Sequence, residues 1–172
     1  MVEARTKGGF PDWLLGSALN RVIRNMSNPP AILRADGRSY PTRMPDYSYA
    51  TNDFGGVHFN SSIFNHAYYL IAAGLTNSLG LTNAEKVFYR SLTTKLLPQS
   101  QFIDARLGCI TSAEELFGVG SAVALKVAEG FDAIELYASP ASVLQSPTNL
   151  PAIAAPDSTM WFPTTRTSSV IL

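Results

Sequence analysis

Between residues 60 and 137 one pattern recurs four times: a polar residue able to cap a helix, then apolar residues every three or four positions, with a glycine or proline closing the first three. That spacing suits amphipathic helices and no strand. Ser61 or Ser62 can open a first helix running to about Ala73, with Gly74 as its stop and Ile63, Phe64, Ala67, Leu70 and Ile71 as its apolar stripe. Thr82 and Glu85 have the spacing of a capping box, and Ala84, Val87, Phe88, Ser91 and Leu92 follow until Pro98. A third helix follows Ser100, lined by Phe102, Ala105, Cys109, Ala113 and Leu116 and closed by Gly118. A fourth begins near Ser121 with the stripe Ala124, Val127, Phe131 and Ile134, in which Gly130 reads as a flaw. Four helices on short connections predict a mainly α fold, a bundle of about four to five helices.

Both ends of the chain read differently. Residues 1–50 are dense in Pro, Gly, Asn and Asp and should be mostly loops. One short helix over "DWLLGSALNRVIRNM" is expected from Leu15, Leu19, Val22 and Ile23, although Gly16 weakens it. Residues 138–172 are rich in Pro, Ser, Thr and Ala, so no helix is expected there. Met160, Trp161 and Phe162 are too apolar for a plain linker, so this tail is expected to lie partly against the bundle or a partner, or else to be disordered.

Charge and composition narrow the function. With 172 residues, 46% hydrophobic and 15% charged, the chain can bury a real core. A formal net charge of zero gives no general attraction to nucleic acid or to an anionic membrane. The early arginines (Arg21, Arg24, Arg34, Arg38, Arg43) are interrupted by Asp36 and Asp46 and read as solvated loop residues. No stretch reaches the ~20 apolar residues of a membrane span, and "MVEARTKGGF" contains no signal-peptide core. Cys109 is the only cysteine, which excludes an internal disulfide and multi-cysteine zinc motifs; its helical position favours a buried, inert thiol. There is no H-E-x-x-H, no G-x-S-x-G and no P-loop, and Glu114 and Glu115 read as a solvated face.

Chemistry then rests on "NDFGGVHFNSSIFNHAYYLIAAG", which holds both histidines. Gly55 and Gly56 permit a backbone turn closed to other residues. Asp53, five residues before His58, can accept from one ring nitrogen and leave the other to donate outward. Such a donor suits negative charge in a transition state, but spacing equally allows a histidine satisfied by local loop bonds. His66, eight residues on, makes no i, i+4 metal pair and reads as a half-buried helix residue.

The same stretch resembles the histidine segment of the thermolysin-like zinc metallopeptidases (the neutral proteases, including bacillolysin and pseudolysin). The likeness continues through "KVFYRSLTTKLLPQSQFIDARLGCITSAEELFG" and "VAEGFDAI" and upstream through "PDWLLG" and "IRNMSNP", covering about residues 10–137. It implies the helical C-terminal lobe over residues 1–137, an extracellular setting, and a peptide substrate. By matching position it makes His58 the donor to the tetrahedral oxyanion and Asp53 the carboxylate that orients it. Arg24 matches the residue that binds the substrate carbonyl after the scissile bond, and Ile23 an apolar wall of the neighbouring pocket. The zinc-binding histidines, the glutamate base and the third ligand have no counterpart here, so no metal is expected in this chain and zinc only in an N-terminal lobe. Leu14 and Ser17 stand where the family has acidic ligands, so calcium is not expected.

Alone the chain should be inactive. It would pair with the zinc lobe in cis or trans, or self-associate through the apolar face that lobe would cover. A stand-alone peptide- or protein-binding module is the alternative.

Overall fold

A computed structural model describes residues 11–34 and 36–137; the expectations for residues 1–10 and for the tail 138–172 lie outside these. Among the described residues four α-helices carry the fold: α1 (Asp53–Tyr69), α2 (Gly80–Thr94), α3 (Phe102–Phe117) and α4 (Ala122–Ala133). The expected mainly α architecture is what the chain adopts.

The core is the set of four stripes turned inward. Ile63, Ala67, Ile71, Val87, Val127 and Phe131 are almost wholly buried and form one cluster with Cys109 and Ala113. Phe64 joins the layers by packing against Phe88, Phe102 and Phe131 at 5.7–6.0 Å between ring centroids. Two stripe members fall outside. Leu92 is 65% exposed because α2 buries Ala84, Val87 and Ser91, and one further residue turns the side chain about 100° away. Leu116 lies in the last turn of α3 and is also exposed.

The helix ends are set differently from the sequence expectation at three of four places. In α1, Asp53, Phe54, Gly55 and Gly56 all have positive φ (57°, 49°, 82° and 77°), so a left-handed turn leads directly into the right-handed helix. Ser61 and Ser62 are therefore interior: Ser62 is buried and its hydroxyl donates to the Pro41 carbonyl at 2.7 Å. The helix continues into a wider π-type turn, Leu70–Gly74, and stops at the predicted glycine. α2 opens at Gly80, which places Thr82 inside the first turn and not at the cap. α3 has a capping box made by Gln101 and Asp104, with the Gln101 N–H donating to Asp104 Oδ2 at 2.9 Å. Ser121 caps α4 as expected, accepting from the Ala124 N–H at 3.2 Å.

Gly130 is not a flaw. A Cβ there would lie 2.1 Å from Ile71 Cγ1, so the bare backbone is what lets α4 sit against the end of α1.

The short N-terminal helix does not form. Leu14–Leu15 (β1) pairs antiparallel with Arg24–Asn25 (β2), Leu14 opposite Asn25 and Leu15 opposite Arg24, around a 3₁₀ turn at Ser17–Leu19. Gly16 reverses the chain at φ 91°, where a Cβ would meet the Arg21 carbonyl oxygen at 2.2 Å. Asp12 fixes the entry by accepting from the Leu14 N–H (3.0 Å) and the Ser17 hydroxyl (2.8 Å). The helical spacing of Leu15, Leu19, Val22 and Ile23 thus gives exposed side chains on a hairpin. Trp13 anchors that hairpin on α1, 5.0 Å from Tyr69 and 6.1 Å from Tyr68 between centroids.

Residues between β2 and α1 are irregular, as composition predicts, and are tied to the far end of the bundle. The Met44 N–H donates to the Ile134 carbonyl at 2.9 Å, and Arg43 pairs with Glu135 at 2.6 Å. Glu115 is less free than a solvated face would be: it bridges α3 to Arg90 of α2 (2.6 Å) and to Lys95 just after α2 (2.5 Å).

Candidate active site

The left-handed turn creates the site. Two non-glycine residues in that region cost roughly 1–2 kcal/mol each, and Phe54, 82% exposed, recovers nothing by burial. The turn brings the Asp53 carboxylate back over the start of the helix it has just left. There Asp53 Oδ1 accepts from the Nδ1–H of His58, five residues on. The His58 ring N–H, with its backbone N–H adding to it, holds the Asp53 carboxyl below the usual carboxylate range, against the opposing effect of burial. Asp53 Oδ2 is buried with no hydrogen-bond partner. The carboxylate is 20% exposed and the imidazole 71%, so the ring is fixed at one nitrogen and open to solvent elsewhere.

β2 delivers the arginine. Arg24 Nη2 donates to the His58 carbonyl at 2.6 Å, 34 residues away in sequence. Nη1 donates to the Tyr40 hydroxyl at 2.9 Å and to the Ile23 carbonyl at 2.7 Å, and the guanidinium lies 4.4 Å from the Tyr40 ring centroid. Three of the four expected site residues, Asp53, His58 and Arg24, thus meet at one place. Ile23 takes part through its carbonyl; its side chain lies beside the Gly16 turn and is 43% exposed.

Two supports escaped the sequence reading. Tyr40 orients Arg24 from a loop 16 residues away and leaves no local signature. Asn60, buried inside α1, joins the turn to the preceding loop. A poor helix former two residues past His58 was the available signal. His66 is structural: its Nδ1–H donates to the Met26 carbonyl at 2.8 Å and its ring stacks on Tyr69, pinning the hairpin to α1.

Among the described residues no group of three His, Cys, Asp or Glu could hold a metal ion. Both histidines use Nδ1 on protein acceptors, and burial pushes the Cys109 thiol up to about 12. The two Asp12 carboxylate oxygens are bonded within their own turn, where calcium would require six or more oxygens. No helix among the described residues is long and apolar enough to cross a membrane.

Comparison with known proteins identifies the family. The family described as "Thermolysin metallopeptidase, alpha-helical domain" matches residues 1–136. The thermostable neutral protease NprT of Geobacillus stearothermophilus is 33% identical in an alignment of 139 positions that covers 74% of this chain and 24% of that protein. The neutral protease NprE of Bacillus pumilus is 34% identical over 128 residues, 73% of this chain and 40% of that protein. Among solved structures, the precursor of protealysin, a metalloproteinase from Serratia proteamaculans, superposes with a TM-score of 0.62 at 31% identity, covering 73% of this chain and 41% of that one. The chain therefore spans less than half the length of these relatives. It belongs to the thermolysin metallopeptidase family, as that family's α-helical domain.

Proposed function

We propose that this chain supplies the substrate-holding, oxyanion-facing wall of a peptide-hydrolysing site whose zinc and general base reside in a separate lobe. The observation that carries the reading is the convergence of Asp53, His58 and Arg24 on one exposed spot. Asp53 keeps a proton on Nδ1 and leaves Nε2 facing solvent. A ring protonated at both nitrogens donates from Nε2 to an oxygen that gains negative charge as a peptide carbonyl is attacked. Arg24, held by Tyr40 and by the His58 carbonyl, offers a cation to a neighbouring carbonyl of the substrate. Ile23 would form an apolar wall beside it, consistent with cleavage on the amino side of apolar residues. Since no described residues can hold zinc, the nucleophile comes from outside them. The hairpin's exposed Leu15, Leu19, Val22 and Ile23 offer apolar area for that lobe or for a second copy. The family resemblance favours an extracellular setting.

The test has two arms. The chain alone, with zinc, should cleave no peptide; chelator-sensitive cleavage by it would overturn the division of labour. Joined behind a zinc-bearing lobe of a thermolysin-family protease it should become active, and His58→Ala should then lower kcat by about 10²–10³. Full activity of that variant would remove the oxyanion role.

A second reading, a stand-alone peptide-binding module, is favoured by the lack of any metal-ligand set among the described residues beside an intact Arg24–His58 wall. It predicts Arg24-dependent peptide binding by the isolated chain and no hydrolysis when a zinc lobe is supplied.

A further inference from the structure

The left-handed turn needs something to hold it. Asp53 and Phe54 both adopt a backbone region that side-chain-bearing residues avoid, and exposed Phe54 has no packing to keep it there. The turn's own Gly56 N–H to Asn52 carbonyl bond, 3.1 Å, closes only its entry. Besides the bonds of Asp53 to His58, a further restraint comes from one side chain. Asn60 is 2% exposed: its Oδ1 accepts from the Ser48 N–H (2.8 Å), its Nδ2 donates to the Ser48 carbonyl (2.9 Å) and to the Gly55 carbonyl (3.3 Å), and its amide also bonds the Tyr47 side chain.

The surroundings are shaped for this amide. A Cβ on Gly56 would lie 3.1 Å from Asn60 Nδ2 and 3.3 Å from the Ser48 carbonyl oxygen, so a side chain at 56 would crowd both ends of the clamp. Ser48 presents an N–H and a carbonyl to one residue, a pair that only a group carrying both donor and acceptor can match. Asparagine is a weak helix former, and here its amide bonds two segments outside its own helix. The clamp spans the loop before the turn, the turn itself and the first coil of α1, which are the three pieces whose relative placement sets Asp53 against His58.

We infer that Asn60 is a positioning residue for the catalytic histidine: by tying Ser48 to Gly55 it holds the left-handed turn that places the Asp53 carboxylate on His58 Nδ1. This rests on the reading of Asp53 and His58 given above. It adds a distinct claim, that the pair's geometry depends on a side chain touching neither of them nor any substrate. Gly55, whose added Cβ would meet nothing within 4 Å, serves the turn only through its φ and its carbonyl. Asn60 serves it through hydrogen bonds, and so can be tested separately.

The experiment uses the full chain labelled with ¹⁵N-histidine, read by the ring-nitrogen signals of His58. Asp53→Asn sets the scale by giving the signature of a ring without its carboxylate. Asn60→Ala should move the His58 Nδ1 signal at least half of the way to that value, while the His66 signals stay in place. Val87→Ala, a remote core truncation, should leave His58 unmoved and so separates positioning from general loss of stability. Asn60→Asp, of equal volume, keeps the bond from the Ser48 N–H and loses the amide donors; it should move His58 as well and serves if the alanine variant does not fold. In the wild-type chain the Asn60 side-chain protons should exchange at least tenfold more slowly than those of a free asparagine.

If Asp53→Asn shifts His58 and neither Asn60 variant does, the positioning role is wrong and the pair survives. If Asp53→Asn itself leaves His58 unmoved, the pair and the inference fall together. Free exchange of the Asn60 amide overturns the clamp whichever variants fold.

Discussion

Gly130→Ala should destabilise this domain, although a helical glycine is usually improved by the change. In an open helix the substitution gains about 1 kcal/mol of helix propensity. Here the new methyl would sit 2.1 Å from Ile71 Cγ1 and 2.9 Å from Cδ1, against an ordinary carbon contact of about 3.5–4.0 Å. Ile71 is completely buried, and Cγ1 is one bond from its Cβ, which would itself lie 3.4 Å away. The side chain therefore cannot swing clear without displacing its neighbours. Overpacking costs about 1–3 kcal/mol, and an overlap above 1 Å belongs near the top of that range. After the propensity gain the net loss is about 2 kcal/mol, or a fall of roughly 6–10 °C in Tm for a domain of this size. Urea denaturation measures it directly. Ile71→Ala alone should cost about 2–5 kcal/mol, and less in the Gly130→Ala background, where the methyl fills the hole it leaves. The double-mutant cycle should show a coupling of about 1–3 kcal/mol. A Gly130→Ala domain stabilised by about 1 kcal/mol, with no coupling to residue 71, would refute the close approach of α4 to the end of α1.

Three further outcomes follow from other parts of the structure. Cys109 is buried and its thiol is pushed up to about 12 from 9.0, so a thiol reagent at neutral pH should label it only at the rate of unfolding; the associated stability is present below pH 9 and lost as pH rises towards 12. Asp53 has a folded-state carboxyl held below 3.8, so its contribution is present above that pH and lost as pH falls through the lowered value; Asp53→Asn should flatten this part of an acid titration followed by circular dichroism. Arg106, 6% exposed, donates through Nη1 to Asp132 (2.7 Å) and to the Leu136 carbonyl (2.8 Å), so Arg106→Met should cost about 2–3 kcal/mol in chemical denaturation. Asp132→Asn should cost no more than about 1 kcal/mol, because Asp132 is about half exposed.

How far each feature could be read from the sequence depended on whether its cause was local. The start and buried face of helix α4 were legible, since Ser121 and the stripe Ala124–Val127–Phe131–Ile134 lie within one short run. The N-terminal hairpin was misread because Leu15, Leu19, Val22 and Ile23 imitate a helical stripe. The deciding features, the Gly16 reversal and the Asp12 turn, act through backbone geometry that an apolar count does not register. At the site, the spacing of Asp53 and His58 across two glycines was visible, and the structure pairs them. The family likeness pointed to Arg24, but what holds Arg24 there, Tyr40 and the His58 carbonyl, depends on contacts 16 and 34 residues distant.

The sequence by itself determined the helical class, the burial stripes and the family, because caps, periodicity and motif spacing are properties of neighbouring residues. It also showed that the chain lacks the family's zinc-binding motif, which is a matter of inventory. Only the tertiary structure decided that Gly130 is a contact point, that His66 is a pin, and that a left-handed turn clamped by Asn60 sets Asp53 on His58. Each of those depends on what a distant segment brings within about 3 Å, and no local pattern in the chain carries that distance.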